Sequence, residues 1–216
     1  MADIALLGRA SSVNVQKAMW ALDEVGVAHR QIELGGRFGG MDDPAYRAIN
    51  PNGKVPTLRD GDLVVWESHA IVRYLAGTYG AGSLWPVAPA ARAVVDQWTD
   101  WTATTLQPAW IEVFWSLVRT PVAQHDKTAI GKALLASYAA YAIMEERLSR
   151  VPYLSGDVFS YADIVAGASM HRWMTMSIQR PDMPNLLAWY VRLQERPGYR
   201  RAIAVSYDDM VGRLSF

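Results

Sequence analysis

Cysteine is missing from all 216 residues. Its absence excludes disulfides, zinc–thiolate sites, iron–sulfur clusters and a cysteine nucleophile, and it fits a reducing compartment. Net charge is missing as well. The 21 Lys and Arg residues are matched by 21 Asp and Glu, so the balance suits neither a nucleic-acid partner nor an anionic membrane. Long apolar runs are missing: the longest, Ala133 to Met144, is broken at Ser137, and spanning a bilayer takes about 20 residues. The opening segment from Met1 to Gly8 has no basic stretch and too short an apolar run for a signal peptide. No Walker sequence occurs, and Gly35-Gly36-Arg37-Phe38-Gly39-Gly40 does not match G-x-G-x-x-G. His29, His69, His125 and His171 share no ligand spacing, so no metal is expected. The expectation is a cytoplasmic protein with no tightly bound cofactor.

What is present argues for a folded chain. Hydrophobic residues make up 51% and charged residues 19%, a balance that disordered segments do not have. The length allows one large domain or two small ones. A neutral molecule that stays soluble hides its apolar patches, which points to an oligomer.

The first 80 residues alternate in type. Ile4–Leu7 is short and apolar, a buried strand. Val15, Ala18/Met19, Leu22 and Val25 recur at helical spacing, and Gly26 stands where a helix ends. Ile32 and Leu34 alternate with polar residues as a second strand. Gly35 to Gly40 is a loop, and Asp43-Pro44 caps a short helix through Ile49. Val55 to Arg59 and Leu63 to Trp66 flank Asp60-Gly61 as a hairpin, and Ser68 opens a helix carrying Ile71, Tyr74 and Leu75. The order βαβ-ββα predicts a small mixed sheet over 1–80. Residues 81–90 read as a linker, and 91–216 as an all-helical domain. There, Val94, Trp98, Trp101 and Thr105 form a stripe ending before Pro108, and Ile111, Phe114 and Leu117/Val118 continue it. Ile130, Leu134, Tyr138, Tyr141 and Leu148 form another.

Several short motifs admit both a structural and a chemical reading. Ser11-Ser12-Val13-Asn14 precedes the first helix. It suits an N-cap, but a hydroxyl at that positive end also favours an anion such as a thiolate. Pro56 cannot donate to a ladder, and Val55-Pro56 is the kind of bond that can be cis. Val55 then presents backbone that protects a sheet edge or pairs with an extended ligand. Glu67-Ser68 is a cap, or an amide-and-carboxylate pair that grips an amino-acid head group. Ser160 to Asp163 is a capping box. Nine tryptophans outnumber four phenylalanines, and Trp66, Trp98, Trp101, Trp110 and Trp115 read mostly as core.

Taken together these pieces resemble the glutathione transferase family. The likeness covers nearly the whole chain. It rests on Gly8 to Lys17, on Asn50-Pro51-Asn52-Gly53-Lys54-Val55-Pro56, on Glu67 to Leu75 and on the Ser160–Asp163 box. It implies an α/β thioredoxin-like N-terminal domain, an all-α C-terminal domain, a homodimer, and glutathione as co-substrate. Residue by residue it implies Ser12 as the catalytic serine, with Ser11 and Asn14 as near alternatives. Pro56 becomes the cis-proline and Val55 the backbone partner of glutathione's cysteinyl part. Glu67 and Ser68 take the γ-glutamyl group, Lys54 the glycyl carboxylate, and Asp96 or Asp100 of a partner chain the γ-glutamyl amine. Arg37, like Arg9, is placed to supply positive charge. A hydrophobic electrophile is expected over Trp98 to Trp115 with Trp173 and Met174, against Trp110, Phe114 and Trp173 in particular. The chain departs from many members in having Leu7 where they place a tyrosine. The activity implied is conjugation of glutathione to that electrophile. Glutathione-dependent reduction of a disulfide or peroxide, or a non-catalytic binding module, are the alternatives.

Overall fold

Four strands and three helices build the first part of the chain, β1 (Ile4–Leu7), α1 (Val13–Val25), β2 (Arg30–Ile32), α2 (Pro44–Ile49), β3 (Thr57–Asp60), β4 (Leu63–Trp66) and α3 (Ser68–Tyr79). They are seen in a computed structural model that describes residues 3–80, 82 and 84–214. The sheet order is β2-β1-β3-β4, with β1 parallel to β2 and antiparallel to β3. Because strand side chains alternate, Ile4 and Leu6 face the main core with α1 and α3, while Ala5 and Leu7 meet Tyr46 of α2 on the other face. The expected thioredoxin-like order is present.

The strand ends differ from expectation at three places. β2 ends at Ile32, although Leu34 still accepts a bond from the Arg9 N–H at 2.9 Å. β3 begins at Thr57 rather than Val55, because Pro56 has no N–H to pair. The hairpin turn is Gly61-Asp62, since Asp60 pairs with Leu63. Asp60 is therefore a strand residue whose carboxylate accepts from Tyr74 at 2.8 Å and from Tyr79.

The second part is helical: α4 (Pro89–Trp101), α5 (Gln107–Phe114), α6 (Lys127–Leu148), α7 (Tyr161–Gly167), α8 (Met170–Thr175), α9 (Pro184–Gln194) and α10 (Pro197–Ala202). Of the linker expected over 81–90, residues 81 and 83 lie outside the described residues, as do Met1 and Ala2, and α4 already starts at Pro89. Pro108 does not end a helix. A widened π-helical segment at Thr102–Leu106 precedes it, and a second, Trp115–Arg119, follows α5. Pro108 has no N–H to give, yet the chain stays helical from α4 through the π segment into α5. The buried faces also differ from the expected stripes. In α4 they are Val95, Trp98 and Thr99, with Val94 exposed. In α6 they are Ala133, Ser137, Ala140, Tyr141, Met144 and Leu148; Tyr141 and Leu148 belong to the expected stripe, and the small residues let α5 come close. Trp66 and Trp115 are exposed rather than core.

α1 joins the two parts. Trp20 stacks edge-on to Tyr199 of α10 at 5.0 Å, and its Nε1 donates to Glu24 at 2.8 Å. Arg196 grips that same Glu24 carboxylate with two nitrogens, at 2.9 and 2.6 Å. The box at the start of α7 is present: Asp163 accepts from the Ser160 N–H at 3.0 Å. Among the described residues no helix is long and apolar enough to cross a membrane, and no cluster suits a metal.

Candidate active site

Three chain turns meet beside the β1 end of the sheet. The first runs from Gly8 into α1. Gly8 lies at φ +148°, and a Cβ there would meet Val15 Cγ2 at 2.5 Å and Val55 Cβ at 3.0 Å. The missing side chain lets this turn touch the second one. Ser12 occupies the N-cap of α1, yet its hydroxyl makes no capping bond. Among the described residues Ser12 Oγ has no hydrogen bond at all. It is left at the positive end of a 13-residue helix.

The second turn carries Lys54, Val55 and Pro56. Tyr46 Oη and Asn50 Nδ2 both donate to the Lys54 carbonyl, each at 2.7 Å, and both also reach Thr57 Oγ1 at 2.9 Å. This anchors the turn to α2. The Val55–Pro56 bond is cis. Neither the N–H nor the C=O of Val55 is paired among the described residues. The third turn is Glu67-Ser68. Glu67, not Ser68, takes the cap position of α3, at φ +72°, and it is the one non-glycine residue with positive φ among those described. Strain of this kind gathers at functional sites. Asn14, Asn50, Asn52, Lys54, Val55, Pro56, Glu67 and Ser68 line a small pocket between the second and third turns.

A cleft of about 640 Å³ opens from that pocket and shares Asn14, Lys54 and Val55 with it. Ser12 lies in it. Its far wall is Gln107, Ile111, Phe114, Trp115 and Arg119, one face of α5 and the π segment after it, with Arg172, Met210 and Leu214. Arg9 lines the cleft as well.

Beneath Asn14 sits a buried amine. Lys17 is 1% exposed. Its Nζ donates to Asn14 Oδ1 at 3.1 Å, to His69 Nε2 at 2.9 Å and to Gln107 Oε1. His69 Nδ1 faces the Thr99 carbonyl at 3.1 Å and must donate to it, so Nε2 is the bare nitrogen. Burial, with Lys17 and Arg73 nearby, pushes His69 down to about 2, and it stays neutral. Burial also pulls Lys17 down to about 7 against the attraction of Glu67. Asn14 Oδ1 further accepts from Gln107 Nε2 at 3.3 Å and Ser68 Oγ at 3.4 Å. The Asn14 amide NH₂ has no hydrogen bond among the described residues, and Asn14 lines both the small pocket and the cleft.

The structure brings Ser12, Asn14, Lys54, Val55, Pro56, Glu67, Ser68 and Phe114 together along the two pockets, and it places Ser11, Arg37, Trp110 and Trp173 elsewhere. Ser11 accepts from Arg9 Nη1 at 2.9 Å and faces a neighbouring hollow of about 440 Å³. Arg37 lines that same hollow, with its guanidinium over Phe38 at 4.7 Å. Trp110 and Trp173 are each 1% exposed and belong to the core, as bulky residues on inward helix faces do; of the three residues expected against the electrophile, only Phe114 reaches the cleft. Asp96 and Asp100 are held by Arg73 of the same chain, Asp96 at 2.7 Å. Lys17, Gln107, Arg119 and Arg172 escaped the sequence reading. The i, i+4 series Gln107, Ile111, Trp115, Arg119 was the available signal.

Two family models match, the N-terminal domain of glutathione S-transferase over residues 6–83 and its C-terminal domain over residues 106–197. Glutathione S-transferase GstB of Escherichia coli strain K12 is 39% identical over 94% of this chain and 98% of that protein. Glutathione S-transferase 4 of Zea mays is 30% identical over 90% of this chain and 89% of that one. Among solved structures, the theta class glutathione S-transferase of Xanthomonas axonopodis pv. citri, with glutathione bound, superposes with a TM-score of 0.91. It is 50% identical and covers 95% of this chain and 99% of that chain.

Proposed function

Because the chain belongs to the glutathione S-transferase family, we propose that it holds glutathione across the two pockets, with the thiol at Ser12. The unused Ser12 hydroxyl at the cap of α1 carries this reading. A free thiol has a pKa of about 8.5, so only a few per cent is thiolate at pH 7. Lowering it by two units takes about 2.7 kcal/mol. One charge-assisted bond from Ser12, the end of the α1 dipole and the Asn14 amide are together of that size. The unpaired Val55 backbone suits the cysteinyl part as an added strand. Glu67, Ser68 and the amides opening α3 suit the γ-glutamyl ammonium and carboxylate, and the exposed Lys54 suits the glycyl carboxylate.

The thiolate sulfur then attacks an electrophilic carbon held against Ile111, Phe114 and Trp115. The S–C bond forms, the leaving group departs with its electron pair, and the thiol proton has already passed to solvent. The family likeness further supports a cytoplasmic homodimer acting in detoxification. Leu63 and Trp66, exposed on the edge strand β4, would suit a subunit contact.

Titration of thiolate absorbance for bound glutathione tests the reading. The pKa is expected to fall by a unit or more, and Ser12→Ala to restore at least one unit of it with a loss of 10- to 100-fold in kcat/KM. A fall that survives the substitution moves the activation to Asn14 or an arginine. Binding with no fall favours disulfide reduction or a non-catalytic role.

A further inference from the structure

The turn that carries Ser12 is held from the other half of the molecule. Arg172 stands on α8, and its Nη2 donates to the Ser11 carbonyl, 161 residues away in the chain, at 2.6 Å. The same nitrogen reaches Gln16 Oε1 at 3.4 Å. The Gln16 N–H in turn donates to the Ser12 carbonyl at 2.8 Å. One guanidinium therefore grips the chain on both sides of Ser12. The gripped carbonyl belongs to the Ser11–Ser12 peptide, so bond lengths alone place Nη2 within about 7 Å of the Ser12 Cα. Arg172 and Ser12 line the same cleft.

The environment of this arginine is apolar on one side and neutral on the other. Arg172 is 4% exposed. Both of its hydrogen bonds go to uncharged oxygens. Its guanidinium carbon stands 4.9 Å from the centre of the Phe114 ring and 6.0 Å from that of Tyr207. The charged groups whose fields reach it are Arg9, Arg119 and Asp209. Arg9 and Arg119 have bonds of their own, to Ser11 Oγ at 2.9 Å and to the Arg213 carbonyl at 2.8 Å. Asp209, the acid of the three, lines the neighbouring hollow. Burial lowers Arg172 only to about 10, so it is charged at neutral pH. A charge taken out of water in this way is costly, its field is weakly screened, and an anion brought beside it recovers part of the cost.

We infer that Arg172 is a positioning residue for thiol activation: from the helical half it fixes the Ser11–Ser12 peptide and sets a buried positive charge beside the glutathione thiolate. This deepens the transferase reading and rests on it. Activation then depends on both halves of the chain, whereas Ser12, Asn14 and the α1 dipole all belong to the first.

The test titrates thiolate absorbance of bound glutathione in the wild type, Arg172→Gln, Arg172→Lys and Arg196→Gln. Glutamine keeps an N–H for the Ser11 carbonyl and loses the charge, and lysine keeps the charge. Arg196→Gln removes a second tie between the halves, the one to Glu24. The thiol pKa is expected to rise by at least about one unit in Arg172→Gln and by less than about half a unit in the other two. With 1-chloro-2,4-dinitrobenzene at saturating glutathione, whose sulfur displaces chloride, kcat/KM of Arg172→Gln should fall about tenfold below both pKa values and match the wild type above them. A merely structural loss lowers it at every pH. An unchanged thiol pKa in Arg172→Gln overturns the inference and leaves the transferase standing. An equal rise in Arg172→Lys overturns it by removing the charge from the account, and an equal rise in Arg196→Gln by making the docking of the halves the cause. A wild type that binds glutathione with no fall in thiol pKa fails the transferase reading and takes the inference with it. The wild type also gives a measurement that needs no variant. By NMR, the ¹⁵N signal of Arg172 Nε is expected to titrate with the thiol of bound glutathione and to stay flat with S-methylglutathione in its place, and a signal flat with both overturns the inference.

Discussion

On the side of the cleft proposed for glutathione, the groups that would face the ligand are mostly backbone and caps. They are the open N–H and C=O of Val55, the amides beginning α1 and α3, and a hydroxyl at a cap it does not serve. On the other side they are side chains projecting from α5, the π segment Trp115–Arg119 and α8. The first wall needs particular φ values and hence particular residues: Gly8 at +148°, Gly53 at +62°, Pro56 after Val55. The second needs only that a helix face present the right side chains, and many sequences satisfy that. A backbone-built wall therefore recognises one invariant ligand, and a side-chain wall is where a related protein changes its substrate.

The helical half has one point on which its backbone depends as heavily. Asp163 is fully buried, and its carboxylate accepts from the N–H groups of Leu154 and Ser160 and from Trp189 Nε1, each at 3.0 Å. Desolvation raises its pKa and these donors lower it. Asp163→Ala strands the donors in the core, and at about 1–3 kcal/mol for each unsatisfied group the expected loss is on the order of 3–5 kcal/mol, read from the denaturant midpoint at constant m. A loss below about 1 kcal/mol would break the comparison, because the helical half would then owe its form to side-chain packing alone.

That contrast also explains what the sequence made legible. β1, α2, β4 and α3 were read within a residue, because Pro44, Gly61 and the short apolar runs mark them locally. Val55, Glu67 and Ser68 stand out for the same reason, and they line one small pocket: a wall made of turns leaves turn residues behind. The far wall was misread. Of the expected stripe on α6, Tyr141 and Leu148 are buried, but the large side chains Ile130, Leu134 and Tyr138 are only partly so, and close helix contact buried the small ones at 133, 137 and 140 instead. Each π segment adds residues to a turn and rotates the face that follows it, which put Trp110 in the core and Trp115 on the cleft. Lys17 and Arg172 were invisible because their partners, Gln107 and Ser11, lie 90 and 161 residues away.

Lys17 ties the two walls together, bonding Asn14 and His69 on one side and Gln107 of α5 on the other. Lys17→Met should therefore raise KM for both glutathione and the electrophile, by roughly three- to tenfold each, on the order of 1 kcal/mol. A change confined to glutathione would show the walls to be independent. The same pair of proteins gives a pH signature. Between about pH 7 and 10.5 the unfolded chain keeps the Lys17 proton and the folded one releases it. The unfolded state binds more protons there, so wild-type stability rises with pH relative to Lys17→Met, by at most about 1.4 kcal/mol per unit. Below pH 7 both states hold the proton and the difference is flat. Denaturant midpoints at pH 6, 7.5 and 9 measure it, and a constant difference would mean that the three acceptors around Nζ keep the amine charged.

The smallest effect is also the cleanest test of the backbone-built wall. Glu67 is held at φ +72°, a conformation that costs a side-chain residue about 1 kcal/mol and glycine almost nothing. Glycine loses more freedom on folding, which offsets part of that gain. Glu67→Gly is therefore expected to be as stable as the wild type or up to about 1 kcal/mol more so, and Glu67→Ala to be no more stable, by thermal midpoint. Both remove the carboxylate from the small pocket and should weaken glutathione binding by a similar factor. Such a result would mean that the strained backbone is kept for the carboxylate it presents. If Glu67→Ala were the more stable of the two, the positive φ would carry no cost, and the wall would be set by side chains on this side as well.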